Sequence, residues 1–262
     1  MLDEDSLRRI AQTQGTHAPA IWKDVTASTN ADAVALAEDG AGEYTIVAAG
    51  HQTAGRGRLG RAWETPPGSS LLVSVILRPA IEPEDASLVP LLAALCMGEA
   101  CRGAFGIQTE IKWPNDLIVN DRKLAGILPE AKVSAGALEY VVVGVGVNLR
   151  QRTEDFPPEL RARATSVALE GGAADTDDER LALQMYLEAY RLHDLASGAG
   201  RDLVVSNARG FCSTIGREVR AVTTDGRTIQ GTAVDLDERG GLVIEAAGAR
   251  ESVAFGEVHH LR

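Results

Sequence analysis

The sequence predicts an α+β protein in two parts: a mixed β-sheet flanked by helices over residues 1–208, and a small β-barrel over residues 209–262. Up to Leu195, apolar strand-like runs alternate with helix-like segments. After Arg209, short alternating runs separated by glycine turns replace any helical period. A barrel of that size has a marginal core by itself, so we expect it to pack on the larger part.

The elements of the first part follow from local composition. A helix is predicted over 31–38, with its N-cap among Ser28, Thr29 and Asn30. Further helices are predicted over 83–105 and 179–195, and strands over 44–49, 71–77, 111–119, 123–128 and 140–149. Residues 50–69 between the first two strands are polar and punctuated by glycine. Long loops inside compact domains are usually functional, so this segment is the first place to look for a site.

Composition excludes several classes of protein. Hydrophobic residues make up 45% of the chain and charged residues 24%, which is typical of a globular protein. The longest apolar runs, 71–77 and 140–147, fall short of the ~18 residues that a membrane span needs. The acidic start is not followed by an apolar stretch, so no targeting peptide is expected. We therefore expect a cytoplasmic protein without a membrane partner.

Net charge and cysteine usage narrow the choice further. A net charge of −11 opposes binding to a nucleic-acid backbone, so no nucleic-acid partner is expected. Cys96, Cys101 and Cys212 lack the spacing of a zinc site or a disulfide framework. They are predicted to be reduced core thiols, and no bound metal is expected from them.

A run of glycines and arginines in the long loop carries the strongest chemical signal. Its residues are Gly55, Arg56, Gly57, Arg58, Gly60 and Arg61. The glycine spacing matches a dinucleotide-binding fingerprint, but neither the required helix nor the acidic residue follows. Guanidinium groups make bidentate hydrogen bonds to phosphate, so the segment predicts a polyphosphate ligand. The alternative is a solvated basic loop.

Two further segments contain candidate site residues. Lys123 lies beside a small apolar strand, where a cation could neutralise a substrate carboxylate and an α-phosphate together. Asp116 could hold a lysine or act as a base, or could equally be a structural ion-pair residue. Asn148 follows two glycines at the end of a buried strand and either reads a nucleotide or caps the strand. Trp63 is expected to stack on a purine and Trp113 to fill core.

Together, five segments in order resemble the biotin protein ligase family. They are STN (28–30), GHQTAGRGRLGR (50–61), KWPND (112–116), RKLAGIL (122–128) and GVGVN (144–148). The chain after residue 214 also resembles the family's SH3-like C-terminal domain. The resemblance implies the family's catalytic fold, which is similar to class II aminoacyl-tRNA synthetases, and it covers roughly residues 20–260.

The resemblance also implies roles for individual residues. Lys123, Arg56 and Asp116 would be catalytic. The biotin-binding set would be Ser28, Thr29, Asn30, Gln52, Gly55, Arg56, Lys123, Gly126 and Leu128. The nucleotide-binding set would be Arg56, Arg58, Arg61, Trp63, Lys112, Asn115 and Asn148.

The implied reaction has two halves. Biotin and ATP, accompanied by Mg²⁺, would give biotinyl-5′-AMP and pyrophosphate. Biotin would then pass to a lysine of the biotin carboxyl carrier protein or domain of an acyl-CoA or pyruvate carboxylase. Residues 1–21 are too few for the DNA-binding helix-turn-helix domain of some members, so the monofunctional type is expected. An exposed sheet edge could serve a homodimer or the carrier. The alternatives are a lipoate protein ligase and a non-catalytic biotin-binding regulator.

Overall fold

The computed structural model of the chain describes residues 2–13, 18–223, 225–254 and 256–261. The helices are α1 (Glu4–Thr13), α2 (Thr29–Glu38), α3 (Leu88–Phe105), α4 (Thr176–Leu192) and α5 (Gly198–Phe211). The first seven strands are β1 (Ala20–Lys23), β2 (Ile46–Ala49), β3 (Ser70–Leu77), β4 (Glu110–Lys112), β5 (Asp116–Val119), β6 (Arg122–Ser134) and β7 (Ala137–Asn148). The last five are β8 (Glu218–Thr223), β9 (Thr228–Leu236), β10 (Leu242–Ala246), β11 (Ala249–Val253) and β12 (Gly256–His260).

The first seven strands form one mixed sheet in the order β1-β2-β3-β7-β6-β5-β4. Strands β1 and β2 are parallel and the other neighbours are antiparallel, which confirms the predicted mixed sheet. Side chains alternate between the two faces of each strand. The odd-numbered valines of β7, from Val141 to Val147, belong to the main core, whereas Tyr140 and Val142 pack with α2 on the opposite face. The next residues on that second face are glycines, where the candidate site lies.

The long helix over Pro83–Phe105 is, among the described residues, the one segment apolar and long enough to cross a membrane. It begins as a 3₁₀ turn over Pro83–Ser87 and continues as α3. Most of its residues are buried, and it packs against α4, α5 and the sheet. Burial in the core accounts for its apolar composition, because a helix that is apolar all round must be covered on all sides.

The last five strands form an antiparallel sheet in the order β11-β10-β9-β8-β12. The small β-domain is as predicted, but the barrel is not closed. Within the described ranges, the edge strands β11 and β12 pair only with β10 and β8. Closure depends on strand tilt and register, which a strand pattern does not specify. The sheet packs on the first part, as expected, and the indole of Trp113 donates a 2.9 Å hydrogen bond to the Gly240 carbonyl oxygen.

Local predictions were confirmed for most elements and wrong for a few. Ser28 caps α2 by accepting from the Ala31 amide. The strand predicted over 111–119 is two strands, β4 and β5, because a turn at Trp113–Asn115 folds the chain back on itself. Helices α1 and α5 and strand β1 were not predicted. The three cysteines are free and buried, as expected of core thiols.

Candidate active site

The floor of the site is a patch of bare backbone on strands β6 and β7. Gly126 pairs with Gly146, and Gly144 lies one step further along the same face of β7. A Cβ added to Gly146 would lie 2.7 Å from the indole of Trp63, and one at Gly144 would overlap the Asn30 side chain. Glycine is therefore required at both positions, because other residues must approach the strand backbone directly.

The N-terminus of α2 forms one wall. The Gln52 side-chain oxygen accepts from the Thr29 amide at 2.7 Å and from the Thr29 hydroxyl at 3.0 Å. Asn30 donates to the Leu128 carbonyl oxygen at 3.1 Å and to Glu130 at 2.8 Å. Four of the predicted biotin-binding residues, Thr29, Asn30, Gln52 and Leu128, thus lie at one end of the glycine floor. Polar groups beside an apolar strand suit a small ligand with one polar head.

The loop over 50–69 folds back over this floor. The Trp63 amide donates to the Gly55 carbonyl oxygen at 2.9 Å, and a Cβ at Gly55 would lie 2.4 Å from the Trp63 carbonyl oxygen. Gly55 therefore permits the close return of the chain that lays Trp63 on Gly126 and Gly146. No helix follows the glycines, so the rejection of the dinucleotide-binding alternative was correct.

Lys123 reaches the same face through a β-bulge. Leu117 pairs with Ala125 and Ile118 pairs with Lys123, so Leu124 is an extra residue on β6. Residues three apart on a regular strand, such as Lys123 and Gly126, point to opposite faces. The bulge turns Lys123 to the face of Gly126, where its ammonium group lies about as close to Gly126 as the Trp63 indole does. The Lys123 Nζ lies 2.7 Å from Asp116 Oδ1 and 5.4 Å from the centre of the Trp63 ring.

The three loop arginines are each held by an acceptor elsewhere in the fold. Arg56 pairs with Glu130 at 3.0 Å, and Arg61 pairs with Glu257 of β12. Arg58 donates to the Asn115 side chain at 3.0 Å and to the Gly256 carbonyl oxygen at 2.9 Å. These contacts join the loop to both parts of the protein, although the Arg56 and Arg61 side chains are 47% and 67% exposed. The phosphate-binding role of the arginines therefore stays a prediction.

Positive charge dominates the interior of the site. Burial lowers the pKa of Arg58, while the nearby Asp116 and Glu257 carboxylates oppose that shift. Burial also lowers the pKa of Lys112, which Asp116 opposes and the neighbouring Lys123 reinforces. Crowded cations with restricted access to water favour binding of an anion, because the anion replaces the missing hydration. A triphosphate together with a carboxylate fits that requirement.

Asn148 is buried and hydrogen-bonded within the protein, and its predicted contact with a nucleotide stays a prediction. Its amide nitrogen donates to the Thr165 carbonyl oxygen at 2.9 Å, and its oxygen accepts from Gln151 at 3.0 Å. The residues that contact the predicted set and were missed include Ser74, Glu130, Gln151 and Glu257. Glu130 could have been found from its position on the face of Leu128 in the same strand, but Gln151 and Glu257 carry no local signal.

The described residues contain no group of three or more His, Cys, Asp or Glu side chains that could hold a metal ion. The carboxylates nearest the loop, Asp116, Glu130 and Glu257, are each paired with a cation. Magnesium in nucleotide-dependent enzymes is commonly bound through substrate phosphates and few protein oxygens. The residues present therefore suit a metal that arrives with its nucleotide rather than one that resides in the protein.

Two family models match the chain. The model of the Biotin/lipoate A/B protein ligase family matches residues 22–148, which include the glycine floor, the loop and Lys123. The model of the biotin protein ligase C terminal domain matches residues 214–261, which hold the second sheet.

Proteins similar to this chain align with most of its length. The biotin–[acetyl-CoA-carboxylase] ligase of Mycobacterium tuberculosis is 35% identical over 100% of this chain and 96% of its own length. The bifunctional ligase/repressor BirA of Bacillus subtilis is 36% identical over 93% of this chain and 74% of its own length. Among solved structures, the biotin protein ligase from Aquifex aeolicus in complex with biotin and ATP superposes with a TM-score of 0.73. It is 26% identical and covers 92% of this chain and 98% of that one.

Proposed function

The chain belongs to the biotin protein ligase family, and from this premise we propose how its residues carry out the two half-reactions of a biotin ligase. The observation that carries the proposal is that Lys123, Trp63 of the arginine loop and Asn30 of the α2 wall all lie against one glycine floor. The site has a cationic end, which suits a triphosphate, and an adjoining end of polar and apolar groups, which suits a carboxylate on an apolar chain.

In the first half-reaction, a biotin carboxylate oxygen attacks the α-phosphorus of ATP and pyrophosphate leaves. Mg²⁺ bound with ATP would offset charge on the leaving pyrophosphate. Two anions must approach each other, and their repulsion raises the barrier. Lys123 neutralises both, and this role is supported by the position of its ammonium group against Gly126 of the floor and near the Trp63 ring. Fixed cations stabilise charge in a transition state without the cost of reorganising water. Arg56, Arg58 and Arg61 bind the phosphates, and each exchanges its present acceptor for phosphate oxygens.

In the second half-reaction, the ε-amine of a carrier lysine attacks the acyl carbon of biotinyl-AMP and AMP leaves. The attacking amine must be neutral and correctly oriented. Asp116 orients it in this proposal, and the support is that its carboxylate lies 2.7 Å from the ammonium group of Lys123, the residue assigned to the adenylate. The loop with Trp63 covers the floor and protects the mixed anhydride from water.

ATP–pyrophosphate exchange in the presence of Mg²⁺ tests the first half-reaction. Exchange with biotin and not with lipoate is the expected result. Exchange with lipoate alone would assign the protein to the lipoate ligases, which the first family model also includes. No exchange with either acid, together with measurable binding of biotin, would support a non-catalytic regulator instead.

Transfer tests the second half-reaction. We propose that the acceptor is the biotin carboxyl carrier domain of an acyl-CoA or pyruvate carboxylase, and the M. tuberculosis relative is named for acetyl-CoA carboxylase. Incubation with purified carrier domains should label one lysine in each accepted carrier, as read by mass spectrometry. Replacement of that lysine by arginine should abolish the label.

We further propose a cytoplasmic ligase without repressor activity. The described residues before β1 hold one helix, α1, which packs on β1 and α4 of the ligase domain. The buried residues of α1 pack in the core, and the net charge of −11 opposes binding to a nucleic-acid backbone. Sequence-specific binding of the protein to its own promoter DNA would contradict the proposal. Dimerisation through a sheet edge stays a prediction, which sedimentation with and without biotin and ATP would test.

A further inference from the structure

Gln151 is a buried amide with one unused hydrogen-bonding group. Its side-chain nitrogen donates to the Ser70 hydroxyl at 2.6 Å and to the Asn148 oxygen at 3.0 Å. The residue is 1% exposed, and its Oε1 atom has no partner among the described residues. Buried polar atoms are nearly always paired, so an acceptor held in this way requires a donor from outside the chain.

The orientation of this amide is determined by its neighbours. The Thr165 carbonyl oxygen can only accept, so the Asn148 group that faces it must be the NH₂. The Asn148 oxygen therefore faces Gln151, which must present its own NH₂ in return. That leaves the Gln151 oxygen as the free end of the network. Turning either side-chain amide over, so that its oxygen and nitrogen change places, would break these hydrogen bonds.

The network lies beside the candidate site. The Thr165 amide donates to the Lys123 carbonyl oxygen at 2.9 Å, so a single residue links the network to Lys123. Ser70 and Asn148 are register partners on β3 and β7. Asn148 is two residues beyond Gly146, so it lies on the same face as the glycine floor beneath Trp63. Asn148, whose side-chain oxygen holds the Gln151 amide, is thus at the end of the floor opposite the α2 wall.

We propose that Gln151 Oε1 accepts a hydrogen bond from the exocyclic amino group of the purine of ATP. The inference rests on the proposed function and deepens it, because it makes Gln151 the residue that selects a 6-amino purine over a 6-oxo purine. A 6-oxo group would place two acceptors opposite each other in a buried position. Asn148, which the family resemblance assigns to the nucleotide, acts here as a positioning residue that holds the Gln151 amide.

The test compares three purine nucleotides that differ at position 6, of which the 6-oxo purine also carries a hydrogen on N1. ATP carries an amino group, purine riboside 5′-triphosphate carries hydrogen, and inosine triphosphate carries an oxo group. Their Kd values are measured by titration calorimetry with the full chain and Mg²⁺. The variant is Gln151→Met, which keeps the length of the side chain and removes the acceptor. The control is Ser70→Ala, which removes one partner of the Gln151 nitrogen and leaves its oxygen unchanged.

The wild-type protein should bind ATP more tightly than purine riboside triphosphate by on the order of 10- to 100-fold, because a site built to bind an NH group rejects an analogue that lacks it. Gln151→Met should reduce that ratio to about 1 by weakening ATP alone, and Ser70→Ala should preserve it. Equal weakening of all three nucleotides by Gln151→Met would overturn the inference. The inference would also be overturned if the wild-type protein bound ATP no more tightly than purine riboside triphosphate, or if it bound none of the three nucleotides.

Biotin-dependent pyrophosphate exchange, run in parallel, separates this inference from the proposed function. Selective ATP binding without exchange would sustain the role of Gln151 and refute the ligase mechanism. Biotin-dependent exchange, together with an equal loss of affinity for all three nucleotides in Gln151→Met, would refute the role of Gln151 and retain the mechanism.

Discussion

Replacement of Lys123 by methionine should abolish most adenylation and leave the fold intact. Methionine keeps an unbranched stem that can pack beside Gly126, but it removes the charge. Loss of one group that stabilises transition-state charge typically costs 10²- to 10³-fold in rate, or about 2.7–4 kcal/mol. We therefore expect biotin-dependent pyrophosphate exchange to fall by at least ~100-fold.

The expected cost to stability is far smaller. The side chains of Lys123 and Asp116 are 36% and 24% exposed, so their ion pair is well hydrated. Such pairs contribute about 0.2–1 kcal/mol, and a partly exposed contact of a cation with an indole contributes about as much. The free energy of unfolding should fall by no more than ~2 kcal/mol, which corresponds to roughly 4–8 °C in Tm for a chain of this size.

Lys132→Met is a matched control on the same strand. The Lys132 side chain is 41% exposed, lies near two carboxylates, and its Nζ lies 5.8 Å from the ring centre of Tyr140. This variant should reproduce the change in Tm and leave exchange unchanged. Exchange by Lys123→Met within about threefold of wild type would refute the assignment of Lys123. An equal loss in both variants would show that net charge, rather than the position of Lys123, matters.

Three further results are expected. Trp113→Phe should lower the free energy of unfolding by about 1–3 kcal/mol in urea titrations, because it leaves the buried Gly240 carbonyl oxygen without its donor; the KM for biotin should not change. Burial, aided by nearby cations, lowers the pKa of His260 to about 4. As the pH falls, the unfolded chain therefore takes up a proton on His260 at a higher pH than the folded protein does. The contribution of His260 to the free energy of unfolding is complete above pH ~6.5 and declines towards pH 4, by on the order of 1–2 kcal/mol after allowing for solvent screening. His260→Gln should flatten that part of a plot of Tm against pH. Deletion of residues after Arg209 should lower exchange, since Arg58 and Arg61 would lose the β12 acceptors that hold the loop until ATP binds; unchanged exchange would contradict this.

Elements with a strong local signal were predicted from the sequence, and several with a weaker or unused signal were missed. The apolar run of β7 and the capped helix α2 were predicted close to their observed bounds. The break at Trp113–Asn115 was missed, although proline inside a strand pattern is a sign of a turn. Helix α1 has buried positions at Leu7, Ile10 and Ala11, a helical spacing that the sequence does contain.

The same difference applies to the residues of the candidate site. Residues in compact motifs could be predicted from the sequence, because glycine next to arginine or lysine next to a small apolar strand has a local chemical meaning. The partners of those residues were not found. Glu257 lies 196 positions from Arg61, and Gln151 stands in a polar segment after the last predicted strand. Their roles come from tertiary contacts that composition and spacing do not encode.

The bulge at Leu124 shows how closely chemistry here depends on backbone register. A regular pairing would place Lys123 on the face opposite Gly126, since side chains alternate with a period of two. Its ammonium would then point towards the apolar core that contains Ala125 and Ile127. The extra residue returns Lys123 to the glycine floor, where Asp116 of the neighbouring strand can reach it. The position of the lysine therefore depends on one additional residue in β6 as much as on the lysine itself, and the apolar residues that follow it keep that register because they are buried.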